Sequence, residues 1–183
     1  YIISPVWWFR LTPRTEIFFD EVLTPGFAYK FINITKTYAY PKPFLKDKIV
    51  RTYITHGAPA LPVKTLYLNS VKLRLVMGVY TFVFGWKPSL WFKTKQFWSV
   101  PFISDKKRKK YLNTVQKDIL SDLEKRCNVH NTSFSNDSNE TAFREGQRSV
   151  VLFIKSTLNK NPGGQNDDTG PLKRAQETGW IAV

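Results

Sequence analysis

The stretch "ETAFREGQRSVVLFIKSTLNKNP", residues 140–162, is the most strongly patterned part of the chain. Ala142, Phe143, Gly146, Val150, Phe153, Ile154 and Leu158 recur at the 3.6-residue period of a helix, and Arg144, Arg148 and Lys155 fall on the other side. Asp137 precedes Glu140 by three residues, the spacing of a capping box, so the helix is expected to begin near residue 138. Asn159, Asn161, Pro162 and Gly163 form its stop signal. Gly146 costs about 1 kcal/mol relative to Ala inside a helix, so its place on the apolar side predicts close approach of another backbone.

Upstream, "DKKRKKYLNTVQKDILSDLEKRCNV", residues 105–129, repeats the pattern, with Tyr111, Leu112, Val115, Ile119, Leu123 and Cys127 on one side. The turn-rich segment "HNTSFSNDSN", residues 130–139, joins the two. Residues 105–160 therefore predict a mainly α C-terminal half, an antiparallel two-helix hairpin whose facing sides bury each other. A unit that small is marginal alone, which predicts self-association or a protein partner. The tail from residue 161 to residue 183 is rich in Gly, Pro and polar residues and predicts a flexible segment.

The other half differs in composition. Residues 1–100 hold 22 of the 28 aromatic residues and 14 basic residues against four acidic ones, whereas residues 101–183 hold 14 basic and 10 acidic. Short runs such as "TYITH" and "KTLYLNSVKLRLVMGVYTFVFGW" mix β-branched and aromatic residues and read as strands, and eight prolines cut the segment into pieces. "LYLNSVKLRL" reads as one strand of a hairpin with no run of equal quality to pair with it. The N-terminal half is therefore expected to be irregular or to form short β segments. With Tyr at position 1 and its single Met at position 77, it also reads as a non-native upstream extension, translation starting at Met77 or at the codon written Val100.

The chemistry of an enzyme is missing from the pattern. His56 and His130 lie in different halves, Cys127 is the single cysteine, and no paired carboxylates sit in an apolar context. No metal, no cofactor and no catalysis are expected. Cys127 and His130 are three apart, but Cys127 reads as the close of an apolar stripe. The longest uncharged apolar run, Leu75 to Trp86, is too short to span a bilayer as a helix. Lys106, Lys107, Arg108, Lys109 and Lys110 sit at the start of a helix, where the macrodipole disfavours cations, and are candidate phosphate contacts.

Leu120, Leu123, Cys127 and Val129, then Phe134, then the run Ala142, Phe143, Arg144, Glu145, Gly146, Gln147 and Arg148 carry a family resemblance. From about residue 110 to residue 158 the chain is similar to a small tailed-phage protein domain named after a Bordetella phage protein, the Bbp-nineteen-like domain. The resemblance implies a bacteriophage or prophage origin, a short helical protein, and a place in the virion or the infected bacterial cytoplasm. It implies no catalytic activity and no defined molecular role.

Two function classes follow. One is a non-enzymatic interaction module for virion assembly, acting on copies of itself or on phage structural proteins. The other is a basic protein binding phage DNA through Lys106 to Lys110 with Arg144, Arg148 and Lys155. A third takes residues 1–100 at face value as part of an organellar ribonucleoprotein, with Trp86, Trp91 and Trp98 stacking on bases or at a membrane surface.

Overall fold

The computed structural model describes residues 1–160; the expected flexible segment, 161–183, lies outside them. The chain divides into two compact units, the first running from Tyr1 to Tyr111 and the second beginning at Leu112.

The first unit overturns the expectation of an irregular N-terminal half. Its centre is a four-stranded sheet in the order β2-β1-β5-β6, built from β1 (Ile2–Trp7), β2 (Arg10–Leu11), β5 (Thr52–Thr55) and β6 (Thr94–Phe97). β5 runs parallel to both neighbours, with Ile3 opposite Tyr53 and Ile54 opposite Gln96. β2 folds back antiparallel on the end of β1. A separate antiparallel pair, β3 (Tyr29–Asn33) and β4 (Ala39–Pro43), stands apart from the sheet. Parallel neighbours need long crossovers, which is why β1, β5 and β6 have their partners far away in the sequence.

The segment read as a strand is helical. α3 (Ser70–Leu73) runs into a π-helical stretch, Arg74–Tyr80, and on into α4 (Thr81–Phe84). Val71, Leu75, Val76, Tyr80, Val83 and Phe84 are buried, with Leu11, Phe19, Ala28 and Ile54 in the same core. The apparent alternation fails at Leu73, which is exposed. Burial of a continuous helical stripe against the sheet outweighs the modest β propensity of these residues. Gly85 ends the run at φ +78°, where its N–H bonds Thr81 O and any Cβ would come within 3.3 Å of Pro43 Cγ.

The prolines punctuate the fold without breaking it. Pro13 opens α1 (Pro13–Val22) and Pro88 opens α5 (Pro88–Lys93), first-turn positions where a missing N–H costs nothing. Pro59 precedes α2 (Ala60–Thr65). Pro5 sits where β1 has β5 on one side and β2 has not yet begun. On the sheet face away from Tyr80, Tyr53 stacks on Phe97 at 6.1 Å and Phe97 on Tyr111 at 4.6 Å. Tyr111 belongs to α6 (Asp105–Arg126).

The second unit holds the rest of α6 and α7 (Ser138–Lys160). They do not form the expected hairpin. In a tight hairpin the last turn of α6 would meet the first turn of α7. Here Glu124 Oε1 instead meets Lys155 Nζ at 2.6 Å, about 25 Å along α7 from its start at 1.5 Å per residue. The connecting segment fills the offset. Ser135 Oγ donates to Glu140 Oε2 at 2.6 Å, Ser135 N–H to Thr141 Oγ1 at 3.0 Å, and Ser133 Oγ to Glu145. Its polar side chains give the connection enough bonds to lie against the beginning of α7 rather than loop out. Asp137 Oδ1 accepts the Asn139 N–H at 2.9 Å, while Glu140 turns to Ser135 and Arg144, so the capping is one-sided.

Candidate functional site

In the second unit, the face of α7 chosen from periodicity is largely not the packed one. Phe143 is 66 % exposed, Val150 59 % and Phe153 70 %, and Ala142 and Gly146 are exposed too. Val151 is the buried residue of α7, with Gln147, Arg148, Ile154, Lys155 and Leu158 half-buried around it. The cations expected on the solvent side are instead paired within the unit. Arg144 Nη2 lies 2.6 Å from Glu140 Oε1, Arg148 Nη1 lies 3.6 Å from Glu145 Oε1, and Lys155 is held by Glu124. The hydrogen bond from Lys155, with His130 also at 3.6 Å, holds the Glu124 carboxyl below the usual carboxylate range.

Of these pairs only Lys155–Glu124 joins α7 to another element, since Arg144–Glu140 and Arg148–Glu145 lie within α7 itself. The long stems of Arg148 and Lys155 cover apolar surface while their heads meet carboxylates. The apolar side is left outward, and Gly146 has no atom within 4 Å of a Cβ built on it. The close backbone approach expected at Gly146 does not occur within the chain. Beside the stripe, Phe134, Ser135, Ser138, Thr141 and Ala142 line a shallow hollow.

The basic run is split in its role. Lys106, Lys107 and Lys109 are exposed on the first turns of α6, as is Lys110. Arg108 is turned inward: Nε donates to Val100 O at 3.3 Å, Nη2 to Pro101 O at 3.0 Å, and Nη1 pairs with Asp105 at 2.9 Å. Arg108 anchors the 3-10 turn Val100–Phe102 to the helix start and is not free for a phosphate.

Sequence reasoning missed a cluster in the first unit. The turn between β1 and β2 holds Trp8 at φ 50° and Phe9 at φ 58°, a left-handed pair normally given to Gly or Asn. Trp8 is 93 % exposed, and Phe9 packs on Tyr67 with ring centroids 4.2 Å apart. At the carboxyl end of β5, His56 stacks on Trp98 at 4.2 Å, and Lys64 Nζ lies 5.6 Å from the Trp98 ring. Gln96 Nε2 donates to Asn69 Oδ1 at 2.8 Å and lies 3.0 Å from His56 Nε2, leaving the imidazole proton on Nδ1. Burial lowers the His56 pKa to about 4, so the ring is neutral at physiological pH. The signal in the sequence was "WWFR", an aromatic run without a turn former.

Among the described residues, no group of three or more His, Cys, Asp or Glu could hold a metal, and no helix is long and apolar enough to cross a membrane.

Two family models match the chain. Residues 2–74 match one described as a flavodoxin-like fold, which agrees with the parallel strands and stands against the reading of that half as irregular. Sheets of that class bind a flavin mononucleotide beyond the carboxyl ends of their strands, its phosphate at a helix N-terminus. The residues here do not fit that phosphate. At the start of α1, Pro13 has no N–H, the Leu11 N–H is taken by Glu16 Oε1 at 3.2 Å, and the Thr12 N–H by Ser4 Oγ at 3.2 Å. The N–H groups of Thr15 and Glu16 both donate to Thr12 O. The Arg14 N–H alone of these is left open, and a phosphate there would meet the Glu16 carboxylate.

Residues 118–167 match the model described as Bbp19-like phage protein, which takes in the end of α6 and all of α7. No curated protein and no solved structure gives a significant match. The segment from residue 118 to residue 167 is thus a Bbp19-like phage domain in part of the chain, alongside residues 2–74 that match a flavodoxin-like fold.

Proposed function

We propose that this is a bacteriophage protein whose helical unit is a non-enzymatic interaction module of the particle or its assembly. One observation carries the reading: the outward side of α7 is apolar while Arg144, Arg148 and Lys155 are each paired with a carboxylate of the same unit. A solvent-facing helix normally has the opposite arrangement, and an exposed apolar face marks a surface for contact with protein. On this reading the protein acts in the virion or the infected bacterial cytoplasm.

The second reading, binding to phage DNA, is favoured by the exposed lysines Lys106, Lys107 and Lys109. It is weakened by Arg108, which is bonded to Val100 and Pro101 carbonyls, and by Arg144, Arg148 and Lys155, each of which is paired with a carboxylate at the surface. Sedimentation of the full chain at low and high salt, with and without a DNA duplex, separates the two. The module reading expects protein association that persists at high salt and weak DNA binding. Tight duplex binding that falls steeply with salt, without protein association, would contradict it.

A further inference from the structure

The apolar stripe of α7 has an internal symmetry. Phe143, Gly146, Val150 and Phe153 are spaced by three, four and three residues, so the pattern reads the same in both directions about residue 148. Two such helices laid antiparallel across a two-fold axis would place Phe143 of one opposite Phe153 of the other, and Gly146 opposite Val150. The spacing is that of the a and d positions of a coiled coil, and a two-fold contact requires a self-complementary patch. We propose that this stripe is the interface of an antiparallel homodimer, an inference that rests on the interaction-module reading and assigns the partner as a second copy of this chain.

Three observations favour a second copy over another occupant. First, the sizes match: a Cβ at Gly146 would meet nothing within 4 Å inside the chain, which leaves the helix surface open for Val150 of the other copy. Second, the flanks of the stripe are Ala142, Ser149, Ser156 and Thr157, all uncharged. The stripe itself carries no charge, so two copies of this chain of net charge +14 meet there without placing like charges in contact. Third, the area suffices. The exposed parts of Phe143, Val150 and Phe153, with Phe134 beside Ala142 and the small residues between, amount to about 600 Å² per copy, so complete burial in a dimer would remove on the order of 1,200 Å². That reaches the lower edge of stable protein interfaces.

The test uses the full chain in a Cys127→Ser background, so that introduced thiols are the only ones. Chains carrying Phe143→Cys are mixed with chains carrying Phe153→Cys and mildly oxidised, and the disulfide-linked tryptic peptides are resolved by mass, since cleavage after Arg144 and Arg148 puts the two sites on different peptides. The antiparallel dimer predicts the mixed 143–153 disulfide in clear excess over the 143–143 and 153–153 products. In parallel, Phe143→Glu should weaken self-association at least tenfold while far-ultraviolet circular dichroism stays unchanged. Preferential 143–143 linkage, or a chain that stays monomeric at all concentrations, would overturn the inference. Self-association that Phe143→Glu does not weaken would overturn this interface and leave the module reading standing, whereas a monomer that binds duplex in a salt-dependent way would overturn both.

Discussion

Lys155 Nζ of α7 lies 2.6 Å from Glu124 Oε1 near the end of α6, so the end of one helix meets the far end of the other. The carboxyl of Glu124 is held below its usual range by the hydrogen bond from Lys155, with a further contribution from His130. A carboxylate whose folded pKa is depressed contributes stability above its unfolded pKa and loses it as the pH falls through the folded one. Lys155→Met should therefore lower the melting temperature of the helical unit slightly at neutral pH. The loss should shrink in acid and at high salt. Thermal melts of both chains across the acidic range check it.

His56 gives the opposite kind of group, a base held neutral. Its pKa falls from 6.5 to about 4 because burial disfavours the charged ring. The unfolded chain then binds a proton that the folded chain refuses, so stability should decline as the pH drops from about 6.5 toward 4. His56→Gln should flatten that part of the profile. Denaturant midpoints of the two proteins between neutral pH and pH 4 measure the difference.

Thr52 and Tyr80 share a buried hydrogen bond between β5 and the π-helical stretch. Tyr80→Phe keeps the ring in the core but leaves the Thr52 hydroxyl without this partner, at a cost of about 1–3 kcal/mol. The double variant Thr52→Val with Tyr80→Phe should recover part of the loss. Urea denaturation of the three proteins completes the comparison.

Leu75 is fully buried at the centre of the same core. Leu75→Ala should cost about 2–5 kcal/mol in the first unit. If residues 1–100 lacked a packed core, the substitution would leave the denaturant midpoint unchanged.

The sequence and the structure agree best where a pattern is local. The start of α7 at Ser138 was legible because Asp137 caps within two residues of itself. The side of α7 that packs was not, because periodicity finds an apolar stripe without saying what covers it. The side that packs is centred on Val151, with the half-buried stems of Arg148 and Lys155 beside it. The sheet was hidden for a different reason: β1, β5 and β6 are partners separated by about fifty and forty residues, and nothing local signals a parallel crossover. "LYLNSVKLRL" was misread because five residues of alternation fit both periods, and the deciding contact, Leu75 against the sheet core, is distant in sequence. The Trp8–Phe9 turn carried no turn residue to mark it.

The central claim is that the outward stripe of α7 is a contact surface, and sedimentation of the full chain against its Phe143→Glu and Phe153→Glu double variant tests it most directly. Concentration-dependent association of the natural chain at high salt, abolished in a variant that keeps its helicity, is the predicted result. Identical sedimentation of the two proteins at every concentration would contradict it.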